Sequence, residues 1–308
     1  MVFMRKLLFF VFLFPAVVFG QKAYLFSYFN GNGDGLHLAY SYDGKKWSAL
    51  GGDKVFLKPE IGKDKLMRDP SIVQDESGTF HMVWTTGWWD QGIGYASSKD
   101  LVHWSEQKNI PVMEGFKGTK NTWAPEVFYD KKTKTFYIFW ASTVPGAFPE
   151  LPTSESEKGL NHRMYYVTTK DFKRFSKTKL FFEPGFSVID AALYEEGGKY
   201  YMFLKNENSN PPEKNIRVVE HRKPYGFPTA VSPSITGDYW AEGPAPLRVG
   251  EYVYVYFDKY TQKKYGAIRS RDLKAWEDIS DEVEFPKGIR HGTAFEVDAK
   301  LLETLLAQ

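Results

Sequence analysis

An internal repeat constrains this chain more than any other feature. Four stretches, AYSYDGKKWS (39–48), YASSKDLVHWS (95–105), YVTTKDFKRFS (166–176) and AIRSRDLKAWE (267–277), share one layout. Each has a β-rich lead-in, a Ser or Thr, an Asp, and a Trp or Phe a few positions on. Alternating aromatic runs recur between them: YLFSYF (24–29), TFHMVWTT (79–86), TFYIFWAS (135–142), KYYMFLKN (199–206) and EYVYVYFD (251–258). Alternation bounded by turn residues marks strands. Ser-Lys-Asp and Tyr-Asp-Gly supply the turns.

A third element recurs before these runs, at intervals of about 50 to 65 residues: RDPSIVQD (68–75), WAPEVFYD (123–130), IDAALYEE (189–196), AEGPAPLRV (241–249) and RHGTAFEV (290–297). A period of this length with several strands per unit predicts an all-β, five-bladed β-propeller of four-stranded blades. The first four elements are each followed by their own second strand, whereas RHGTAFEV is followed only by LLETLLAQ. YLFSYF in turn has no first strand before it. The two ends therefore complete one shared blade, which closes the ring and leaves no open sheet edge. A generic β-sandwich explains neither the five repeats nor the complementary ends. The period runs without a linker, so residues 21–308 form one domain.

The N-terminus has its own pattern. Arg5 and Lys6 precede an apolar run from Leu7 to Phe19, then Gly20 and the polar Gln21-Lys22. This is the layout of a cleaved secretory signal over residues 1–20. A retained membrane anchor is the alternative, but the run is short for a span. The expectation is a secreted or periplasmic, monomeric protein with no membrane association after cleavage. The chain has no Cys, which removes disulfides, thiolate metal sites and lipid attachment at a cysteine. Net charge is only +2 with the signs well mixed. No basic stripe points to nucleic acid, and no Gly-rich phosphate loop points to an organic cofactor.

The innermost strand of a propeller blade starts near the axis, so its first residues face one shared cavity. Those positions hold Asp69, Trp123 with Glu126, Asp190, Glu242 and His291. Carboxylates far apart in sequence thereby converge. Asp69 before Pro70 is also an ordinary turn residue, and Glu242 before Gly243-Pro244 an ordinary loop acid. Asp190 in VIDAAL is harder to dismiss, because an unpaired charge in an apolar stretch is costly. Converging carboxylates suit acid–base chemistry, since crowding and burial hold one protonated while another stays ionised. Inverting glycoside hydrolysis uses such a pair, roughly 6.5–9.5 Å apart, with water between base and sugar.

With these motifs in hand, the chain resembles glycoside hydrolase family 43, over about residues 23–297. That family includes inverting α-L-arabinofuranosidases, β-xylosidases, arabinanases and exo-β-1,3-galactanases. Arg68-Asp69-Pro70 matches its Asp-Pro element, which implies Asp69 as general base. Trp123-Ala124-Pro125 matches its Trp-Ala-Pro element. Ile189-Asp190 matches the element of the auxiliary Asp, which implies that Asp190 tunes and positions the acid. Glu242-Gly243-Pro244 matches its Glu-Gly-Pro element, which implies Glu242 as general acid. His291-Gly292 matches a late His-Gly near a channel cation or water, so His291 is a candidate contributor to a Ca²⁺ site. A satisfied neutral histidine is the plainer alternative. Two positions depart from the pattern: Glu126 stands where Asp is usual, and Ala191 where Pro is common. The related retaining β-fructosidases need an upstream Asn-Asp-Pro and a Glu-Cys. This chain offers only Asp34 in NGNGDG, which reads as a hairpin loop.

The resemblance implies an oligo- or polysaccharide substrate. Aromatics are 17% of the chain, and most belong to strand packing. Some aromatic faces are free to stack on sugars: the candidates are Trp84, Trp88, Trp89, Trp123, Phe148, Tyr239 and Trp240. Arg68 and Arg290 are candidate hydrogen-bond donors to sugar or carboxylate. The insert 144–160 is long for a compact domain, and such loops are functional or disordered. As a wall of the cavity it would favour exo action. The expected activity is exo-acting release of arabinofuranose from plant polysaccharide side chains. The alternatives are a xylosidase or galactanase of the same fold, or a non-catalytic sugar-binding propeller.

Overall fold

The computed structural model describes residues 22–308; the expected signal segment, residues 1–20, lies outside the described residues. Five antiparallel sheets follow one another along the chain. The first contains β1 (Lys22–Tyr28), β2 (His37–Ser41) and β3 (Ser48–Ala49). The second contains β4 (Arg68–Gln74), β5 (Phe80–Thr85), β6 (Ile93–Ser98) and β7 (Lys108–Ile110). The third contains β8 (Trp123–Asp130), β9 (Thr135–Ser142), β10 (Arg163–Thr169) and β11 (Lys179–Phe182). The fourth has β12 (Val188–Glu196), β13 (Lys199–Asn206) and β14 (Asn215–His221). The fifth has β15 (Glu242–Val249), β16 (Tyr252–Lys259), β17 (Lys264–Ser270) and β18 (Glu277–Asp278). The last strand, β19 (Ala294–Asp298), returns to the first sheet and pairs with β1, Phe26 facing Ala294 and Lys22 facing Asp298. The ring is thus closed by the two chain ends, as the complementary repeats require.

The closure is tight where it meets the axis. Ser27 N donates to Thr293 O, and Thr293 N donates to Ser27 Oγ, each at 3.0 Å. A Cβ on Gly292 would sit 1.7 Å from the Ser27 carbonyl oxygen, so only glycine lets the chain pass. Helix α1 (Ala299–Leu306) follows, capped by the Asp298 side chain accepting from Lys300 N. Its Leu302 and Leu305 are buried against blade one.

The middle strands read as nearly continuous apolar runs because both of their faces are buried. Met82 and Trp84 pack toward blade one, while Val83 packs toward blade three. Ile138 and Trp140 face blade two, while Phe139 and Ala141 face blade four. Tyr201 and Phe203 meet Val255 and Phe257 between blades four and five. Phe26, Trp47, Tyr256 and Tyr265 fill the closing interface. Each of the five hydrophobic clusters therefore lies between two neighbouring blades.

The repeated Ser/Thr-x-Asp motif is the turn leaving the third strand. Asp43 Oδ1 accepts from the backbone N–H of Lys45 and Lys46, Asp100 from Val102 and His103, Asp171 from Lys173 and Arg174, and Asp272 from Lys274 and Ala275. In each turn the residue after the Asp is left-handed: Gly44, Leu101, Phe172 and Leu273, with φ between 51° and 71°. The preceding Ser or Thr hydroxyl accepts from that residue's N–H. Asp side chains in such Asx turns satisfy donors that no strand can reach.

Blade four departs from the expected four strands. After β14 the chain reads HRKPYG, without the turn motif, and no fourth strand forms. An irregular segment takes the edge position instead. Ser232 N donates to Val218 O and Ile235 N to Ile216 O, while the Ser232 and Thr236 hydroxyls accept from Val218 N and Ile216 N. Pro228 and Pro233 supply no N–H, so a regular ladder is not available there.

Candidate active site

In blades two to five the innermost strand opens with a slip in register against its neighbour, between Arg68 and Ser71, Trp123 and Glu126, Ile189 and Ala192, and Glu242 and Ala245. The second residue of each strand or of its slip is left-handed: Asp69 (φ 53°), Ala124 (46°), Asp190 (52°) and Gly243 (62°). Bulges of this kind re-aim side chains, and they gather next to active sites. Asp tolerates the left-handed region better than most residues. The strain of roughly 1–3 kcal/mol per such residue persists only where the surroundings hold it. Thr85 does so here: its hydroxyl donates to Asp69 Oδ2 and accepts from Ala124 N, both at 2.9 Å.

The positions of the slips and of the left-handed residues refine the expected equivalence of the three carboxylates. Asp69 and Asp190 are equivalent, but their counterpart in blade five is Gly243. Glu242 lies one residue earlier, at the position that Arg68, Trp123 and Ile189 hold in the other blades. Gly243 is required twice over, by its φ and because a Cβ there would come 2.5 Å from the His291 ring.

The three acids nevertheless share one polar cavity of about 280 Å³, walled further by Arg68, Thr85, Trp88, Trp123, Glu207, Tyr260, Arg290 and His291. Asp69 and Asp190 are buried, and Glu242 is half-buried. His291 Nδ1 lies 3.4 Å from Asp69 Oδ1 and 3.7 Å from Asp190 Oδ2. Gly243 N donates to Asp190 Oδ2 at 3.0 Å. Lys205 Nζ donates to Glu242 Oε2 at 2.9 Å. Lys205 also pairs with Glu207, at 2.7 Å. Lys214 joins Glu207 to Glu157, at 3.0 and 2.7 Å.

These contacts separate the acids electrostatically. Burial alone would raise Asp69, but the bond from His291 and the charge of Arg68 outweigh it and hold Asp69 below the usual carboxylate range. Burial pushes Asp190 up to about 6, against the pull of His291 and with the charge of Glu242 adding to it. Burial opposes charge on His291, yet Asp190 and Asp69 raise it to about 9. The two carboxylates thus favour the charged form of His291. Burial also disfavours the Lys205 ammonium, but Glu242 and Glu207 keep it charged.

A model of the family described as a probable glycosyl hydrolase domain, related to family 43, matches residues 20–303. The chain belongs to this glycosyl hydrolase 43-related family. Over 116 residues it is 27% identical to an α-L-arabinofuranosidase of Bifidobacterium longum, a match covering 36% of this chain and 11% of that protein. The matched part of this chain thus spans about a tenth of that relative's length. The crystal structure of an α-L-arabinofuranosidase from Lactobacillus brevis superposes with a TM-score of 0.54 at 17% identity, covering 69% of this chain and 72% of that one. The family 43 protein BlXynB from Bacillus licheniformis gives 0.51 at 25% identity, covering 69% of this chain and 41% of that one. The fold is that of the family 43 glycoside hydrolases.

Within this glycosyl hydrolase 43-related chain, the expected binding residues divide. Arg68, Trp88, Trp123 and Arg290 line the cavity. The Arg68 guanidinium lies 4.6 Å from both the Phe29 and Trp88 rings, and Arg68 Nη1 donates to Asn32 Oδ1 at 2.7 Å. Trp123 Nε1 donates to Trp88 O at 2.7 Å. Trp240 does not line the cavity; it is 40% exposed and packs on Tyr260, which does. Trp89 is exposed and lies beside Trp123. Three other candidates belong to packing instead. Trp84 is fully buried, Phe148 lies under Arg163, and Tyr239 stacks on Phe257. Glu126 sits below the cavity near Thr293, where burial pushes it up to about 7. The 144–160 insert does not wall the cavity; its Glu157 braces the wall through Lys214 and Glu207.

Among the described residues no group of three or more His, Asp or Glu is placed to hold a metal ion. His291 lies between two carboxylates, 3.4 Å from Asp69 and 3.7 Å from Asp190.

The sequence motifs did not point to Thr85, Lys205, Glu207, Tyr260 or Asp258. All lie at or just beyond the end of a second strand. Thr85 faces Arg68, Lys205 faces Ile189, and Asp258 faces Glu242. The available signal was polar residues ending otherwise apolar strands, such as Lys205-Asn206 after YYMFL.

Proposed function

We propose that the chain is an inverting, exo-acting glycoside hydrolase whose sugar is most readily α-L-arabinofuranose. The observation that carries this is one small cavity shared by three carboxyl groups, Asp69, which is kept ionised, Asp190 and Glu242. Asp69 takes a proton from water, whose oxygen attacks the anomeric carbon. Glu242 protonates the leaving oxygen as the glycosidic bond breaks. Asp190 holds the peptide after Glu242 in place. Arg68 and Arg290 bind sugar hydroxyls, and Trp88 and Trp123 supply faces for the ring. Trp240 extends this surface at the rim through Tyr260.

The cavity lies just below the roughly 300–1,000 Å³ of common ligand sites, which fits one terminal sugar. The arabinofuranosidases among its relatives favour the furanose; xylose and galactose are the alternatives to be separated by experiment. No step needs a cation at His291. The apolar N-terminal run supports export.

The test is a panel of aryl α-L-arabinofuranoside, β-D-xyloside and β-D-galactoside, offered to the wild type and to Glu242→Ala. Release from one substrate, lost in Glu242→Ala and recovered with a dinitrophenyl leaving group that needs no acid, supports the proposal. Silence on all three and on arabinan, xylan and arabinogalactan fragments contradicts it.

A further inference from the structure

A second, larger cavity of about 840 Å³ adjoins the first, and the two share Tyr260 and Arg290 as a common wall. It lies between the segment after β16 and residues 283–290, which lead the chain back toward blade one. Nothing in the mechanism above uses it.

Its lining carries unmet hydrogen-bonding capacity. The Tyr265 hydroxyl is buried and has no partner among the described residues. Asn30 gives its amide N–H to Asp53 Oδ2 at 2.9 Å, which leaves the buried Asn30 Oδ1 without a donor. Buried polar atoms without partners are rare in native proteins and call for an explanation. A donor-and-acceptor ligand such as a sugar hydroxyl satisfies both.

Its charge is unbalanced. Arg290 is paired with Asp258 at 3.5 Å, and Lys264 with Asp281 at 2.9 Å. Lys263 and Lys287 are exposed at the same cavity and form no ion pair with any described residue. Glu284 is the one other acid of the lining. Two free ammonium groups beside orphaned hydroxyl and amide groups suit a sugar that carries a carboxylate.

We infer that this second cavity binds an acidic sugar, a uronate on the leaving-group side of the scissile bond. The leaving-group assignment rests on the hydrolase proposal; the uronate site itself does not.

The test is calorimetric titration of the protein with a disaccharide ending in glucuronic acid and with its carboxyl-reduced twin. The variant is Lys263→Ser/Lys287→Ser, whose changes are on the surface. Two exposed charge pairs predict a preference of about tenfold for the uronate. High salt should erase it by screening, and the double variant should lack it. Equal affinity for the two disaccharides, no binding of either, or an unchanged preference in the variant overturns the inference. Hydrolysis of aryl glycosides by the wild type is measured alongside. Hydrolysis without uronate preference defeats this inference alone, and uronate preference without hydrolysis defeats the hydrolase proposal alone.

Discussion

Gly243 N donates a 3.0 Å hydrogen bond to Asp190 Oδ2, so the peptide directly after Glu242 hangs on a carboxylate of the neighbouring blade. Two blades are thereby tied at the point where the proposed acid leaves the strand. Asp190→Ala removes both the acceptor and the charge. It should lower kcat by about 10²–10⁴ while KM changes little, the range for loss of a well-placed acid–base function. Asp190→Asn keeps an acceptor oxygen and should recover part of the loss. Steady-state kinetics on an aryl glycoside compare the three proteins.

Lys205 is almost wholly buried between Glu242 and Glu207. Removing one partner of a buried ion pair leaves the other charge uncompensated, at a cost of about 3–5 kcal/mol. Lys205→Met should therefore destabilise the fold by about that much in denaturant titration. It should also remove the donor that orients Glu242. The double variant Lys205→Met/Glu207→Gln should be less destabilised than the two single losses added together, because the Lys205–Glu207 pair is then removed as a whole rather than one charge of it left alone.

The sign of the pH dependence follows from His291. Its folded value, about 9, lies above the ordinary histidine value of 6.5. Its contribution is therefore present in full below pH 6.5 and lost as pH rises through about 9. The groups responsible are Asp190, Asp69 and Glu126. Thermal melting followed from pH 6 to 10 should show this loss in the wild type. His291→Gln should be less stable at pH 6 and should decline less than the wild type between pH 7 and 9. A wild-type curve with no decline toward pH 9 would contradict the ion-pair assignment.

Much of this molecule was legible in its repeats, and the failures have physical causes. The Ser/Thr-x-Asp turn marks the blades that carry a fourth strand, and its absence after His221 marks the blade that does not. The Asp-Pro, Trp-Ala-Pro, Ile-Asp and Glu-Gly-Pro elements do begin the innermost strands. Their one-residue offset at Glu242 was hidden because it depends on which residue turns left-handed, and a glycine there leaves the acid on the preceding position. Lys205 and Thr85 were not legible because their partners lie across a bulge in register, which sequence spacing does not encode. Trp84 and Trp88 lie in one short stretch, yet one is core and the other faces the cavity. Strand alternation ends between them, at Thr85, and only the fold shows where.

The most direct test of the account is the anomeric configuration of the first sugar released, followed by proton NMR from the moment an aryl α-L-arabinofuranoside is added. Attack by water activated by Asp69, on the face opposite the leaving group, predicts that β-L-arabinofuranose appears first and that Asp69→Asn abolishes its formation. Initial accumulation of the α-anomer, or a wild-type rate in Asp69→Asn, would contradict it.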